Sequence, residues 1–128
     1  MSVLQTDPVL SCEESLEFEK KYFKGDGELE WQSMSKAGQG VGDALFRDMR
    51  ELRTIHHRPR LLVLVGKGHN GGDSIIATKR FLRTIPTARA VILPLESWEK
   101  CRLLTQRAWD ELKELTDKRI EVIDPSSN

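Results

Sequence analysis

Apolar residues along this chain change their spacing, and each change marks an element. Through residue 52 they recur every three or four positions, as on one stripe of a helix. At 61–65 and 90–93 they run uninterrupted, as in buried parallel strands. Ser11 and Glu14 have capping-box spacing, each side chain able to satisfy a backbone N–H of the first turn. That helix is predicted to reach about Phe23, to bury Cys12, Leu16 and Phe23, and to stop at Gly25 before an Asp26-Gly27 turn. A second helix starts near Glu28, with Trp31, Met34, Gly38, Val41, Leu45, Met49 and Leu52 on its stripe. Inside it, Gly38-Gln-Gly-Val-Gly42 imitates a nucleotide loop, but no strand precedes it. Its glycines are therefore read as close helix packing, which offsets a helix cost of ~1 kcal/mol each.

The second half alternates between the two patterns. His56-His57-Arg58-Pro59-Arg60 is a basic connector, either a phosphate patch or, as the plainer reading, a solvated loop. Pro59 biases the residues before it toward extended backbone. A strand at 61–65 leads through a glycine loop to a helix at about 74–82 carrying Ile75, Ile76 and Phe81. A strand at 90–93 is closed by Pro94, and a helix at 98–115 carries Leu103, Leu104, Ala108, Leu112 and Leu115. A third strand is placed at 120–123. Strand–helix–strand–helix–strand with such helices implies right-handed crossovers and a parallel sheet. The fold class is α/β, a Rossmann-like three-layer αβα arrangement with two helices before the first strand. Three strands are few for such a sheet, so the domain is expected to be incomplete on its C-terminal side.

Composition narrows the function classes. In 128 residues, 20 basic and 20 acidic side chains balance, which gives no bulk footprint for nucleic acid or a membrane surface. At that length the chain is read as one domain. Cys12 and Cys101 match no CxxC spacing and are expected as buried apolar side chains in a reducing compartment. With no secretory start and no apolar run of ~20 residues, the expectation is a cytoplasmic protein.

The candidate chemistry lies in Gly66-Lys-Gly-His-Asn-Gly71, followed by Gly72 and Asp73. This satisfies G-x-G-x-x-G directly after a strand and before a helix, the context the pattern requires. Glycine lets the backbone turn sharply and approach a ligand, and the next helix offers free N–H groups to an anion. Glu96 is the one acidic candidate for a ribose partner, although it falls a few residues late. A Walker A loop is excluded, because Gly72-Asp73 stand where Lys-Ser/Thr would be. Asp73 reads equally well as a helix N-cap. Asn70 reads as a turn residue or, through its amide oxygen, as a ligand for a hard cation.

Val63-Leu-Val-Gly-Lys-Gly-His-Asn-Gly-Gly-Asp73 resembles the signature of the YjeF N-terminal domain family, the NAD(P)H-hydrate epimerases. Leu10-Ser-Cys-Glu-Glu-Ser resembles that family's opening helix, and Met34-Ser-Lys-Ala-Gly38 its Met-Glu-x-Ala-Gly helix. The resemblance implies a metabolite-repair isomerase that interconverts the epimers of hydrated NADH or NADPH. It implies that His69, Asn70, Gly71, Gly72 and Asp73 form the substrate loop, with Asn70 a ligand of a potassium ion. His69 stands where the family has a first asparagine, and it too can donate and accept hydrogen bonds. The catalytic residue is not assigned: the family's catalytic aspartate belongs to an Asp-x-Pro-Ser-Gly stretch on a later strand, and Asp124-Pro-Ser-Ser is not read as that stretch. His56, His57 and Lys67 match no family role. The resemblance further implies a small-molecule dinucleotide substrate; the balanced charge and the lack of a long apolar run leave neither nucleic acid nor membrane as an expected partner, and a homodimer stays open. The same fold also occurs in interaction proteins such as the enhancer of mRNA decapping, so a non-catalytic scaffold is the alternative.

Overall fold

The computed structural model describes residues 8–52, 57–115 and 118–124. His56, the segment after Asp124 and the side chain of Leu115 lie outside them. The chain divides into two compact units, Met1–Glu30 and Trp31–Asn128.

In the first unit, helix α1 (Cys12–Phe23) starts as its capping box dictates. Glu14 N–H donates to Ser11 Oγ at 3.2 Å, and Ser11 N–H donates to Glu14 Oε2 at 2.7 Å. The helix ends where Lys24 turns left-handed at φ 47° and Gly25 follows at φ 75°. Its expected buried face is not present: Cys12 and Leu16 are exposed, and Phe23 is half-buried. A unit of one complete helix and a turn has no core in which to enclose side chains. Phe18 and Tyr22 stack on each other instead, ring centroids 6.0 Å apart. Asp26, expected as part of a turn, N-caps the next helix, its Oδ1 accepting from Glu28 and Leu29 N–H at 3.0 and 3.2 Å.

Helix α2 (Gly27–Leu52) continues into the second unit. Its buried stripe there is Trp31, Met34, Gly38 and Gly42, with Leu45 and Met49 partly buried against the same core. Val41 and Leu52, expected on the stripe, are exposed. Gly42 takes the inward position because the stripe advances four residues from Gly38, not three.

The remaining order is β1 (Arg60–Val65), α3 (His69–Thr84), β2 (Arg89–Pro94), a 3-10 turn (Trp98–Lys100), α4 (Leu103–Leu115) and β3 (Ile120–Val122). The strands form one sheet in the order β1-β2-β3, all parallel. The Rossmann-like α/β arrangement is thus present, each parallel pair joined through a helix. Register runs from Arg60 opposite Arg89 to Val65 opposite Pro94, and from Ala90 opposite Ile120 to Ile92 opposite Val122. Helix α3 packs on β1 and β2 and α4 packs on α3. Val63, Val65, Ala90 and Ile92 meet Ile75, Phe81, Leu82 and Leu112 in one core. Leu62 and Leu64, on the opposite face of β1, are 67% and 57% exposed.

Three expectations change here. Helix α3 begins at His69 rather than Ser74, so the second half of the glycine loop is its first turn. The predicted helix at 98–115 is broken: Leu103 is exposed, and Thr105 is fully buried beside Ala108 and Leu112. Cys101 is buried as expected, and that burial pushes its thiol pKa up, but Cys12 is exposed. Among the described residues no helix is long and apolar enough to cross a membrane.

Candidate functional site

The loop after β1 is wound directly into α3. Gly68 is the N-cap, with extended backbone at φ −89° and ψ −171° and no side chain to cap the helix. Its carbonyl accepts from Gly71 N–H at 3.0 Å and Gly72 N–H at 3.4 Å. His69 and Asn70 therefore occupy the first two helical positions, where N–H groups have no intrahelical acceptor. Asn70 is exposed, and neither its N–H nor its amide has a partner among the described residues. It is not a left-handed turn residue, because the described residues show positive φ only at Lys24 and Gly25. Asp73 is not the N-cap either, lying inside the helix four residues after its first.

The four glycines do two different jobs. A Cβ on Gly71 would sit 2.0 Å from the Gly66 carbonyl oxygen, and one on Gly72 would sit 2.8 Å from Met34 Sδ. Both are buried: Gly71 lets the helix start nearly touch the strand end, and Gly72 lets it pack against α2 and Thr105. At Gly66 and Gly68, by contrast, nothing lies within 4 Å of such an atom. Ligand approach to backbone is thus open at Gly66 and Gly68, and at the side chains of His69 and Asn70.

Helix α4 and the turn before it brace the loop from the side. Thr105 Oγ donates to Gly68 O at 3.0 Å, and Arg102 N–H donates to Lys67 O at 2.9 Å. Arg102 NH1 lies 3.0 Å from His69 Nε2. A guanidinium only donates, so in a hydrogen bond between the two the imidazole nitrogen is the acceptor. Sequence reading missed both residues. Thr105 did leave a signal, since it stands three residues before Ala108 and seven before Leu112, a polar side chain on the buried stripe. Arg102 left none, because its role depends on a loop thirty-odd residues away. Lys67 contributes its carbonyl, and its side chain is exposed.

Burial raises the Asp73 carboxyl pKa above its ordinary value of 3.8, and the charge of His69 partly offsets this. Ser74, next along, bonds its hydroxyl to Gly71 O at 2.7 Å. Among the described residues no group of three or more His, Cys, Asp or Glu could hold a metal ion. The amide oxygen of Asn70 is a donor for a hard cation, so its chemistry fits an alkali ion and not a thiolate- or imidazole-bound metal.

Glu96 follows β2 and pairs loosely with Lys100, Nζ–Oε2 3.9 Å. With Pro94, Ser97, Glu99, Val122 and Asp124 it lines a cavity of about 320 Å³ at the carboxyl ends of β2 and β3. Ligands of open α/β sheets bind on that side of the strands. His57 is exposed, at the other end of β1.

Fold and loop together define a Rossmann-like α/β protein built around a strand–glycine loop–helix unit. Residues 31–128 match the model of the family described as YjeF-related protein N-terminus, and the chain belongs to that family. Over 71 residues it is 34% identical to the NAD(P)H-hydrate epimerase of Roseobacter litoralis, a stretch that covers 56% of this chain and 30% of that protein. The chain thus matches less than a third of that relative's length.

Proposed function

We propose that this chain carries the substrate loop of an NAD(P)H-hydrate epimerase-type site and takes hydrated NADH or NADPH as its small-molecule ligand. The observation that carries the reading is Asn70, exposed and unpartnered at the start of a helix that follows a strand and two open glycines. A dinucleotide pyrophosphate suits that helix start, where the unpaired Asn70 N–H and the macrodipole both favour negative charge. In this reading Gly66 and Gly68 admit the ligand, and His69 and Asn70 touch it. Gly71, Gly72 and Asp73 shape the turn that presents them. Asn70 would also ligate a potassium ion, which would counter the ligand's negative charge. Arg102 holds the His69 ring in one orientation, so His69 offers a fixed hydrogen-bonding edge where the family has an amide.

The alternative is a non-catalytic scaffold of the same fold. The engagement of His69 by Arg102 favours it, because the imidazole is already partly committed within the protein. Titration of the full chain with purified NADHX and NADPHX, in potassium and then in a large organic cation, tests the proposal. Saturable binding is expected, weakened at least tenfold by Asn70→Ala at unchanged Tm, and weakened when potassium is withdrawn. Affinity indifferent to both changes would remove the loop from the site. Binding without epimer exchange would favour the scaffold.

A further inference from the structure

The amino ends of the strands carry a feature that the loop at the carboxyl ends does not use. Arg58, Arg60, Arg89, Lys118 and Arg119 line a cavity of about 410 Å³, with Glu121 the single carboxylate among its lining side chains. The chain as a whole has zero formal charge, so five cations around one hollow are a local concentration. Register makes it sharper. Arg60 and Arg89 are directly opposed on neighbouring parallel strands, about 4.8 Å apart, and like charges so placed destabilise a sheet. A carboxylate partner would relieve the repulsion. Among the described residues, however, Arg60, Arg89 and Lys118 have no ion pair.

Arg119 has a separate task. Its NH1 lies amid four carbonyl oxygens that share its two N–H donors: those of Leu82 and Pro86, both at 2.9 Å, and of Ile85 and Ala88 at 3.2 and 3.3 Å. It thereby neutralises the carbonyl-rich end of α3 and fixes one wall of the hollow. Two arginines rooted at opposed positions of neighbouring strands can serve two adjacent phosphoryl groups, each of which an arginine can grip through paired N–H donors. The volume suits a small ligand rather than a single ion.

We propose that the amino ends of the strands form a second binding site, for a small anion carrying two or more linked phosphate groups. The six residues of β1 hold it about 20 Å from the glycine loop. It is therefore independent of the function proposed for that loop.

Isothermal titration of the full chain with inorganic tripolyphosphate, at physiological ionic strength, tests this. One saturable site is expected. Arg60→Gln or Arg89→Gln should each weaken it about tenfold and the double variant about a hundredfold, with inorganic sulfate at least tenfold weaker than tripolyphosphate. Both arginines are exposed, and removing one of two opposed like charges should leave Tm equal or higher, so lost binding would not reflect unfolding. Lys36→Gln, the same loss of charge at an exposed position on α2, should leave affinity within twofold. Unchanged affinity in the double variant overturns the site, and so does equal affinity for sulfate and tripolyphosphate. So does a single-stranded RNA that binds and is not displaced by tripolyphosphate.

Discussion

Two glycine-rich stretches in this chain look alike on paper, and the structure separates them. Gly38-Gln-Gly-Val-Gly42 lies within α2, whereas Gly66-Lys-Gly-His-Asn-Gly71 joins β1 to α3. Each contributes glycines to the same α2–α3 contact. A Cβ on Gly38 would meet Ile76 at 2.6 Å and the Asp73 carbonyl at 3.0 Å; one on Gly42 would meet the Ala77 carbonyl at 2.9 Å; one on Gly72 would meet Met34. The stretches differ in where their open glycines lie. Gly40 is open on the solvent side of a continuous helix, where the backbone is already hydrogen-bonded. Gly66 and Gly68 are open at the end of a strand, just before a helix whose first N–H groups have no acceptor within the helix itself. The pattern of glycines alone therefore does not make a site. The preceding strand does.

The sharpest way to break this comparison is to put a methyl group on each kind of loop glycine. At Gly71 the new Cβ would lie 2.0 Å from the Gly66 carbonyl oxygen, and backbone cannot swing aside as a side chain can. Gly71→Ala should cost about 3 kcal/mol or more, as severe overpacking does. It therefore cannot serve as a clean binding variant. Gly68→Ala meets nothing within 4 Å and has an ordinary φ of −89°, so it should cost no more than about 1 kcal/mol, the loss expected of alanine at an N-cap. Urea unfolding of both variants checks the pair; similar losses would mean that the two glycines do the same job.

Much of this was legible in the sequence, and the failures share a cause. The capping box placed the start of α1, and the apolar runs placed β1 and β2 to within a residue at each end, because these are local signals. The start of α3 was misplaced because two adjacent glycines read as loop on propensity. Tertiary packing against Gly66 and Met34 overrides that preference. Helix α4 was drawn too long because apolar spacing continues through Trp98, whereas the Arg102 N–H bonded to Lys67 O redirects the chain there. Asn70 was picked out by motif, and the structure finds it exposed in the first turn of α3 rather than in a left-handed turn. The support from Thr105 and Arg102 was not, since it is set by the packing of α4 against α3.

A second, smaller contrast lies within α2. Gly42→Ala should lose about 2 kcal/mol, since its Cβ would press the Ala77 carbonyl at 2.9 Å and the Arg80 side chain at 2.9 Å. Gly40→Ala has nothing within 4 Å and should gain up to about 1 kcal/mol from helix propensity. Opposite signs of ΔTm by differential scanning calorimetry are the expected outcome. A loss at Gly40 would show that the outer face of α2 is covered by something.

The smallest expected effect falls where the two stretches meet, at Asp73. Its backbone carbonyl faces Gly38, and its carboxyl is half-buried with a pKa raised above 3.8, chiefly by burial. A carboxyl whose folded pKa is raised holds its proton more firmly when folded than when unfolded. It therefore contributes stability that is fully present below pH 3.8 and lost as pH rises through the raised folded value. At neutral pH the ionised Asp73 is a small cost to the fold. The neighbouring His69 pulls the other way and keeps the effect modest. Asp73→Asn keeps the shape and removes the charge. The variant should melt slightly above the wild type at neutral pH, and that advantage should shrink as pH falls toward about 3, where wild-type Asp73 is itself protonated. Melting curves across that range read the difference directly. A ΔTm that stays constant with pH would mean that the Asp73 carboxyl is as well solvated in the folded chain as in the unfolded one. The contact between α2 and α3 would then place no electrostatic burden on the loop.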